Sequence, residues 1–185
     1  RMRMNANTMF LNGTQTFTKQ SLEGMYEQHS PGIFRYAYRM LGDQDQAEEC
    51  VAETFSRFLQ AVKRGKGPSE NAQAYLYRIA HNWITDQYRS QPPATVSLEA
   101  EWIADESQNP ARLVAEKLEQ EKLRSAVLQL PDDQRKVILL RILEHMPHEQ
   151  VAEILGKTAE ATRALQYRAL AALRRILIET ENTHD

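Results

Sequence analysis

Lys157, Thr158, Glu160, Arg163, Gln166 and Tyr167 fall within one short stretch, VAEILGKTAEATRALQYRAL, running from Val151 to Leu170. Guanidinium and amide groups at this spacing suit hydrogen bonding to base edges, and the lysine, the hydroxyl and the aromatic ring suit phosphate and sugar contacts. Two elements must hold them. Val151, Ile154 and Leu155 line one side of a short helix, and Gly156 stands where a left-handed residue would end it. Thr158 is placed to cap a second helix, in which Thr162, Leu165, Ala169, Ala172, Leu173 and Ile176 recur at the spacing of one buried stripe. Helix, glycine turn and helix together predict a helix-turn-helix whose second helix offers Glu160, Arg163, Gln166 and Tyr167 outward. Two core helices with a solvated charged face would carry the same pattern, so this stretch alone leaves both readings open.

Two earlier stretches carry further chemistry. In NAQAYLYRIAHNWITDQYRS (Asn71 to Ser90), Leu76, Ile79, Ala80, Trp83 and Ile84 are predicted to pack inward. Tyr77, Arg78, His81, Asn82, Asp86 and Arg89 are predicted to project outward, a mixture of basic, amide and aromatic groups that suits single-stranded nucleic acid. In QAEECVAETFSRFLQAV (Gln46 to Val62), Val51, Phe55, Phe58, Leu59 and Val62 form an apolar stripe. Glu48, Glu49, Ala52, Glu53, Ser56 and Arg57 face away, and this acidic face reads as lacking a basic partner one turn on, which fits docking on a basic protein surface. A merely solvated face is the competing reading.

Charge supports the division. Residues 63 to 90 carry Lys63, Arg64, Lys66, Arg78 and Arg89 against Glu70 and Asp86, a balance of +3. Residues 151 to 178 carry Lys157, Arg163, Arg168, Arg174 and Arg175 against Glu153 and Glu160, again +3. Between them, residues 91 to 121 reach −5, so the formal net charge of −2 conceals two local surfaces that attract phosphate.

Catalytic signals are weak. Glu144 to Glu149 holds His145 and His148, but Pro147 interrupts the helix and no second histidine follows at zinc-ligand spacing. No phosphate-binding glycine loop, nucleophile elbow or cysteine framework is present, so neither metal, cofactor nor enzymatic activity is expected. Cys50, the lone cysteine, reads as a small buried hydrophobe. No apolar run approaches the roughly 20 residues of a membrane span, which predicts a cytoplasmic protein without membrane insertion.

The periodicity is helical almost throughout the 185 residues, predicting an all-α protein of two small domains. The first is expected over 17–90, with breaks at Leu41-Gly42-Asp43 and Gly65-Lys66-Gly67-Pro68. An acidic, flexible linker is expected over 91–110, and a second domain over 111–178 with a break at Leu130-Pro131.

The ordered pieces YRMLGDQDQAEECVAETF, AYLYRIAHNWITDQYRS, LPDDQRKVILLRILEHMPHEQVAEILGKT and ATRALQYRALAALR resemble an extracytoplasmic-function sigma factor of bacterial RNA polymerase, from about Phe17 to Leu177. The resemblance implies a sigma-two-like helical bundle and a sigma-four-like helix-turn-helix domain without catalysis of their own. It assigns Glu48, Glu49, Ala52 and Glu53 to core RNA polymerase. Lys66, Ser69, Asn71, Arg78, Asn82, Asp86 and Arg89 would meet the melted minus-ten element, where bases are read out of the stack. Lys157, Thr158, Glu160, Arg163, Gln166 and Tyr167 would meet the duplex minus-thirty-five element. An anti-sigma factor is a further implied partner. Tyr75 stands where the family usually has tryptophan, and His81 where arginine is common. The alternative is a stand-alone helix-turn-helix regulator.

Overall fold

The computed structural model describes residues 8–12, 15–90 and 110–183. They form two compact units. The predicted linker over 91–110 lies outside the described residues, apart from Pro110, which opens a helix.

The first unit begins with an addition to the helical pattern. Strands β1 (Thr8–Asn12) and β2 (Gln15–Thr18) pair antiparallel, with Phe10 opposite Phe17 and Asn12 opposite Gln15. Thr18 ends β2 and caps helix α1 (Lys19–Leu41): its hydroxyl accepts from the Ser21 N–H at 3.0 Å, and the Ser21 hydroxyl accepts from the Thr18 N–H at 2.9 Å. This reciprocal box satisfies amides that a helix start otherwise leaves unpaired. At the far end Gly42, with φ of +71°, turns the chain and donates to the Tyr38 carbonyl at 2.8 Å. The Asp43 carboxylate then accepts from the Gln46 N–H at 2.8 Å, starting α2 (Gln44–Lys63). Asn71 caps α3 (Ala72–Ser90) through its side-chain oxygen, 3.0 Å from the Ala74 N–H.

These three helices bury their stripes against one another. Ile33, Tyr36, Ala37 and Met40 of α1 meet Cys50, Val51, Phe55, Phe58 and Val62 of α2 and Leu76, Tyr77, Ala80, Trp83 and Ile84 of α3 in one core. Phe58, 1% exposed, sits deep in it; its truncation to alanine would cost about 3–5 kcal/mol. The Tyr88 hydroxyl donates to the Met40 carbonyl, tying the end of α3 to that of α1.

The second unit holds α4 (Pro110–Leu128), α5 (Asp132–Ile138), the start of α6 (His148–Leu155) as far as Ala152, and α7 (Ala159–Asn182). The Arg135 guanidinium donates to the carbonyls of Leu128 and Leu130 at 3.2 and 3.4 Å, closing the break between α4 and α5. α5 runs on into a π-helical turn, Leu139–Leu143, which the 3.6-residue periodicity does not foresee. Val137, Ile138, Leu139 and Leu140 are all buried, as are Met146, Val151, Ala169 and Leu173, and α5 packs against α7. α7 continues past position 178, where the sequence pattern fades, to Asn182.

Candidate nucleic-acid interface

The turn between α6 and α7 is built as its residue types demand. Gly156 adopts φ of +64°, a conformation open to glycine at no steric cost, and Lys157 then donates its N–H to the Ala152 carbonyl at 2.9 Å. The Thr158 hydroxyl accepts from the Ala161 N–H at 3.1 Å and so starts α7. Thr162, Ala169, Ala172 and Leu173 are buried, Leu165 and Ile176 half-buried, which seats one side of α7 on the core. Glu160, Arg163 and Tyr167 project into solvent, Tyr167 at 78% exposure.

Gln166 does not share that exposure. It is half-buried, and its side-chain oxygen is sealed from solvent with no hydrogen-bond partner among the described residues. The three-residue step from Arg163 rotates it toward the edge of the buried stripe. The two basic side chains, Arg163 and Lys157, are also already engaged. Arg163 meets the Glu149 carboxylate at 3.1 Å, and Lys157 meets Asp133 at 3.4 Å. Glu149 is held below its ordinary pKa by a hydrogen bond from its own backbone N–H, assisted by Arg163 and His148, while burial opposes. His148 is also lowered, by desolvation and then by Arg141 and Arg163, with Glu149 opposing. Its Nδ1 lies 3.4 Å from the Thr162 hydroxyl. Among the described residues, no group of three or more His, Cys, Asp or Glu side chains is placed to hold a metal ion.

On α3, Arg78, Asn82, Asp86 and Arg89 are exposed and recur at four- and three-residue steps, forming one polar stripe. Tyr77 is not part of it. It is 2% exposed and packs on Tyr36 with ring centroids 6.1 Å apart, because its position falls on the helix side facing α1. His81 is half-buried, its Nδ1 3.4 Å from the Tyr36 hydroxyl, and Trp83 belongs to the core. Between α2 and α3, Lys66, Ser69 and Asn71 are exposed, whereas Pro68 is buried. The Asn71 side-chain oxygen is committed to capping α3, so this residue shapes the loop.

The outer side of α2 presents Glu48, Glu49 and Ala52 exposed and Glu53 half-buried. The expectation of an acidic face without a basic partner is corrected for Glu53. Arg57, one turn on, meets its carboxylate at 2.7 Å. Glu48 accepts from the Gln44 amide at 3.0 Å. Such exposed pairs are worth about 0–1 kcal/mol, little enough for a competing partner to displace. Beside this face Tyr26, 50% exposed, lies edge-on to Phe55 at 4.8 Å. Sequence spacing has no signal for that neighbour, since it comes from α1. Cys50 is buried, and desolvation pushes its thiol up to about 12 against the opposing influence of Thr54 and Arg57.

Two family models match the chain: Sigma-70 region 2 over residues 25–92, and Sigma-70 region 4 over residues 120–173. Together they take in more than half of the 185 residues. The ECF RNA polymerase sigma factor BldN of Streptomyces coelicolor is 31% identical over 83% of this chain. The chain belongs to the ECF sigma factors. This sigma factor spans 59% of the length of BldN, and 92% of RNA polymerase sigma factor YlaC of Bacillus subtilis, to which it is 25% identical over 85% of its own length. Its fold is that of the sigma factor RpoE of Bartonella quintana, solved with the anti-sigma factor NepR: TM-score 0.65, 21% identity, covering 85% of this chain and 97% of that one. In this sigma factor the acidic face of α2 and the stripe of α3 both fall in the region 2 match, and Lys157 to Tyr167 fall in the region 4 match. No described helix is long and apolar enough to cross a membrane.

Proposed function

We propose that this sigma factor binds core RNA polymerase through the α2 face of Glu48, Glu49, Ala52 and Glu53, and directs the enzyme to promoters read by two separate surfaces. The loop of Lys66, Ser69 and Asn71, with Arg78, Asn82, Asp86 and Arg89 on α3, receives the melted minus-ten strand. Capturing unstacked bases there offsets the cost of unpairing and so assists melting. The α7 start, with Lys157, Thr158, Glu160, Arg163, Gln166 and Tyr167, meets the minus-thirty-five duplex. Free N–H groups of that first turn favour a phosphate beside Lys157 and Thr158. Arg163 and Tyr167 reach base edges, and Gln166 contributes at the rim of the contact. The factor acts in the cytoplasm, and an anti-sigma factor restrains it, as the RpoE–NepR complex suggests for a protein of the same fold.

The observation that carries this reading is the pairing, on one small helical unit, of an acidic α2 face with an exposed amide and guanidinium stripe on α3. A regulator acting alone through its helix-turn-helix needs neither. Polymerase supplies much of the DNA affinity, so a chain of net charge −2 suffices with two local basic surfaces. Co-purification with core RNA polymerase is the test. A stoichiometric complex is expected, and a chain that binds promoter duplex but leaves polymerase unbound would overturn the proposal in favour of the regulator.

A further inference from the structure

The loop from Arg64 to Asn71 contains Gly65 and Gly67, and Gly65 adopts φ of +68° with nothing within 4 Å of a Cβ built on it. A segment with this freedom presents fixed groups to a ligand only if its backbone is tied down. Both backbone groups of Lys66 are tied. Its N–H donates to the Ala61 carbonyl at 2.8 Å, and its carbonyl accepts from the Tyr75 hydroxyl at 3.1 Å. The first tie is an ordinary helix-end bond, but the second reaches nine residues ahead into α3.

The Tyr75 ring is itself held. It meets the Phe58 edge-on at 6.1 Å, and Phe58 meets Phe17 of β2 at 5.8 Å with the rings nearly perpendicular. Phe17 is 6% exposed and directly precedes the Thr18 cap of α1. Edge-to-face pairs of this kind favour a defined ring orientation. An aromatic row thus runs from the N-terminal hairpin, through the core, to the carbonyl of the loop residue whose charged side chain faces solvent.

We infer that Tyr75 is a positioning residue for the promoter-strand loop, its hydroxyl holding the Lys66 carbonyl while Phe58 and Phe17 hold its ring. The inference rests on the proposed role of that loop in receiving the melted strand. It gives the hairpin a function, as the outer support of the row. It also separates Tyr75 from a base-stacking role, because a stacking ring would work equally well without its hydroxyl.

The experiment uses the full chain bound to core RNA polymerase and bubble DNA whose open strand has been selected from a random single-stranded pool. Tyr75→Phe keeps the ring and deletes the hydroxyl. It is expected to weaken bubble binding about 3- to 10-fold, the worth of one hydrogen bond, and to flatten base preference in the open strand. Polymerase affinity should stay unchanged and the thermal midpoint should fall by no more than the few degrees that one lost hydrogen bond accounts for, whereas a general loss of structure would lower both. Phe17→Ala should act in the same direction and combine with Tyr75→Phe less than multiplicatively, since both act through one row. Phe17→Leu, which refills most of the volume, should retain more binding than Phe17→Ala. Wild-type bubble affinity and base preference in Tyr75→Phe, alongside a loss in Lys66→Ala, would overturn the inference and leave the role of the loop standing. Wild-type behaviour of Lys66→Ala and Ser69→Ala as well would remove both.

Discussion

Replacing Gly156 with alanine asks whether the helix-turn-helix depends on one backbone angle. Nothing lies within 4 Å of the added Cβ, so no clash contributes and the penalty is conformational. At φ of +64° the strain on an L-residue is about 1–2 kcal/mol. A less flexible unfolded chain returns about 0.5 kcal/mol of it. The net loss is about 1 kcal/mol, or roughly five-fold in the opening equilibrium of the α6–α7 turn. Native-state hydrogen exchange reads this locally. Peptides from α6 and α7 should exchange about five-fold faster in Gly156→Ala, with peptides from α3 unchanged. Gly156→Asn should fall between, because asparagine tolerates the left-handed region. Gly24 provides the opposite sign. It lies inside α1 with open space around its Cβ position, so Gly24→Ala should stabilise by about 0.5–1 kcal/mol. Unchanged exchange of α6 and α7 in Gly156→Ala would refute the argument, since the turn would then tolerate a side chain without strain.

Reversing Glu49 and Glu53 to lysine should reduce recovery of core polymerase in a pull-down while costing about 1 kcal/mol of stability, mostly from the lost Glu53–Arg57 pair; full recovery would take the acidic face out of the interface. Arg163→Ala should weaken binding to the upstream duplex by about 1–3 kcal/mol and relax preference at one base pair, measured with duplexes mutated position by position. A loss spread evenly over sequences, with the salt slope smaller by about one, would mean a phosphate contact instead. Glu149→Gln should strengthen duplex binding, because Arg163 no longer exchanges a carboxylate for DNA; weaker binding would make Glu149 an orienting partner. Cys50 should resist thiol reagents in the folded chain. Its raised pKa contributes stability that is intact below pH 9.0, its ordinary value, and is lost as pH rises toward about 12, so prompt labelling at neutral pH would contradict its burial.

Punctuation and periodicity made most of the fold legible. Gly42 with Asp43, and Gly156 with Thr158, are each a left-handed stop followed by a capping side chain, and the structure ends and restarts helices at both. The stripes of α2 and α3 were readable for the same reason. What escaped depends on contacts between elements. Tyr77 has the composition of a surface residue and is buried by α1, Tyr26 joins the α2 face from another helix, and Arg163 finds Glu149 across the turn. Gln166 shows the limit of angular reasoning, because a residue at the margin of a stripe is half-buried by neighbours the wheel does not contain. The β1–β2 hairpin is too short for alternation to stand out, and the π-helical turn has no pattern of its own within an apolar run.

In vitro transcription tests the central claim most directly. Core RNA polymerase, with and without this chain, is supplied with a library of duplex promoters of random sequence, and the transcripts are sequenced from their starts. Initiation that requires the chain, at templates sharing one upstream duplex element and one downstream element, is the predicted result. Initiation unaffected by the chain, or dependent on it at templates without any shared element, would contradict the account.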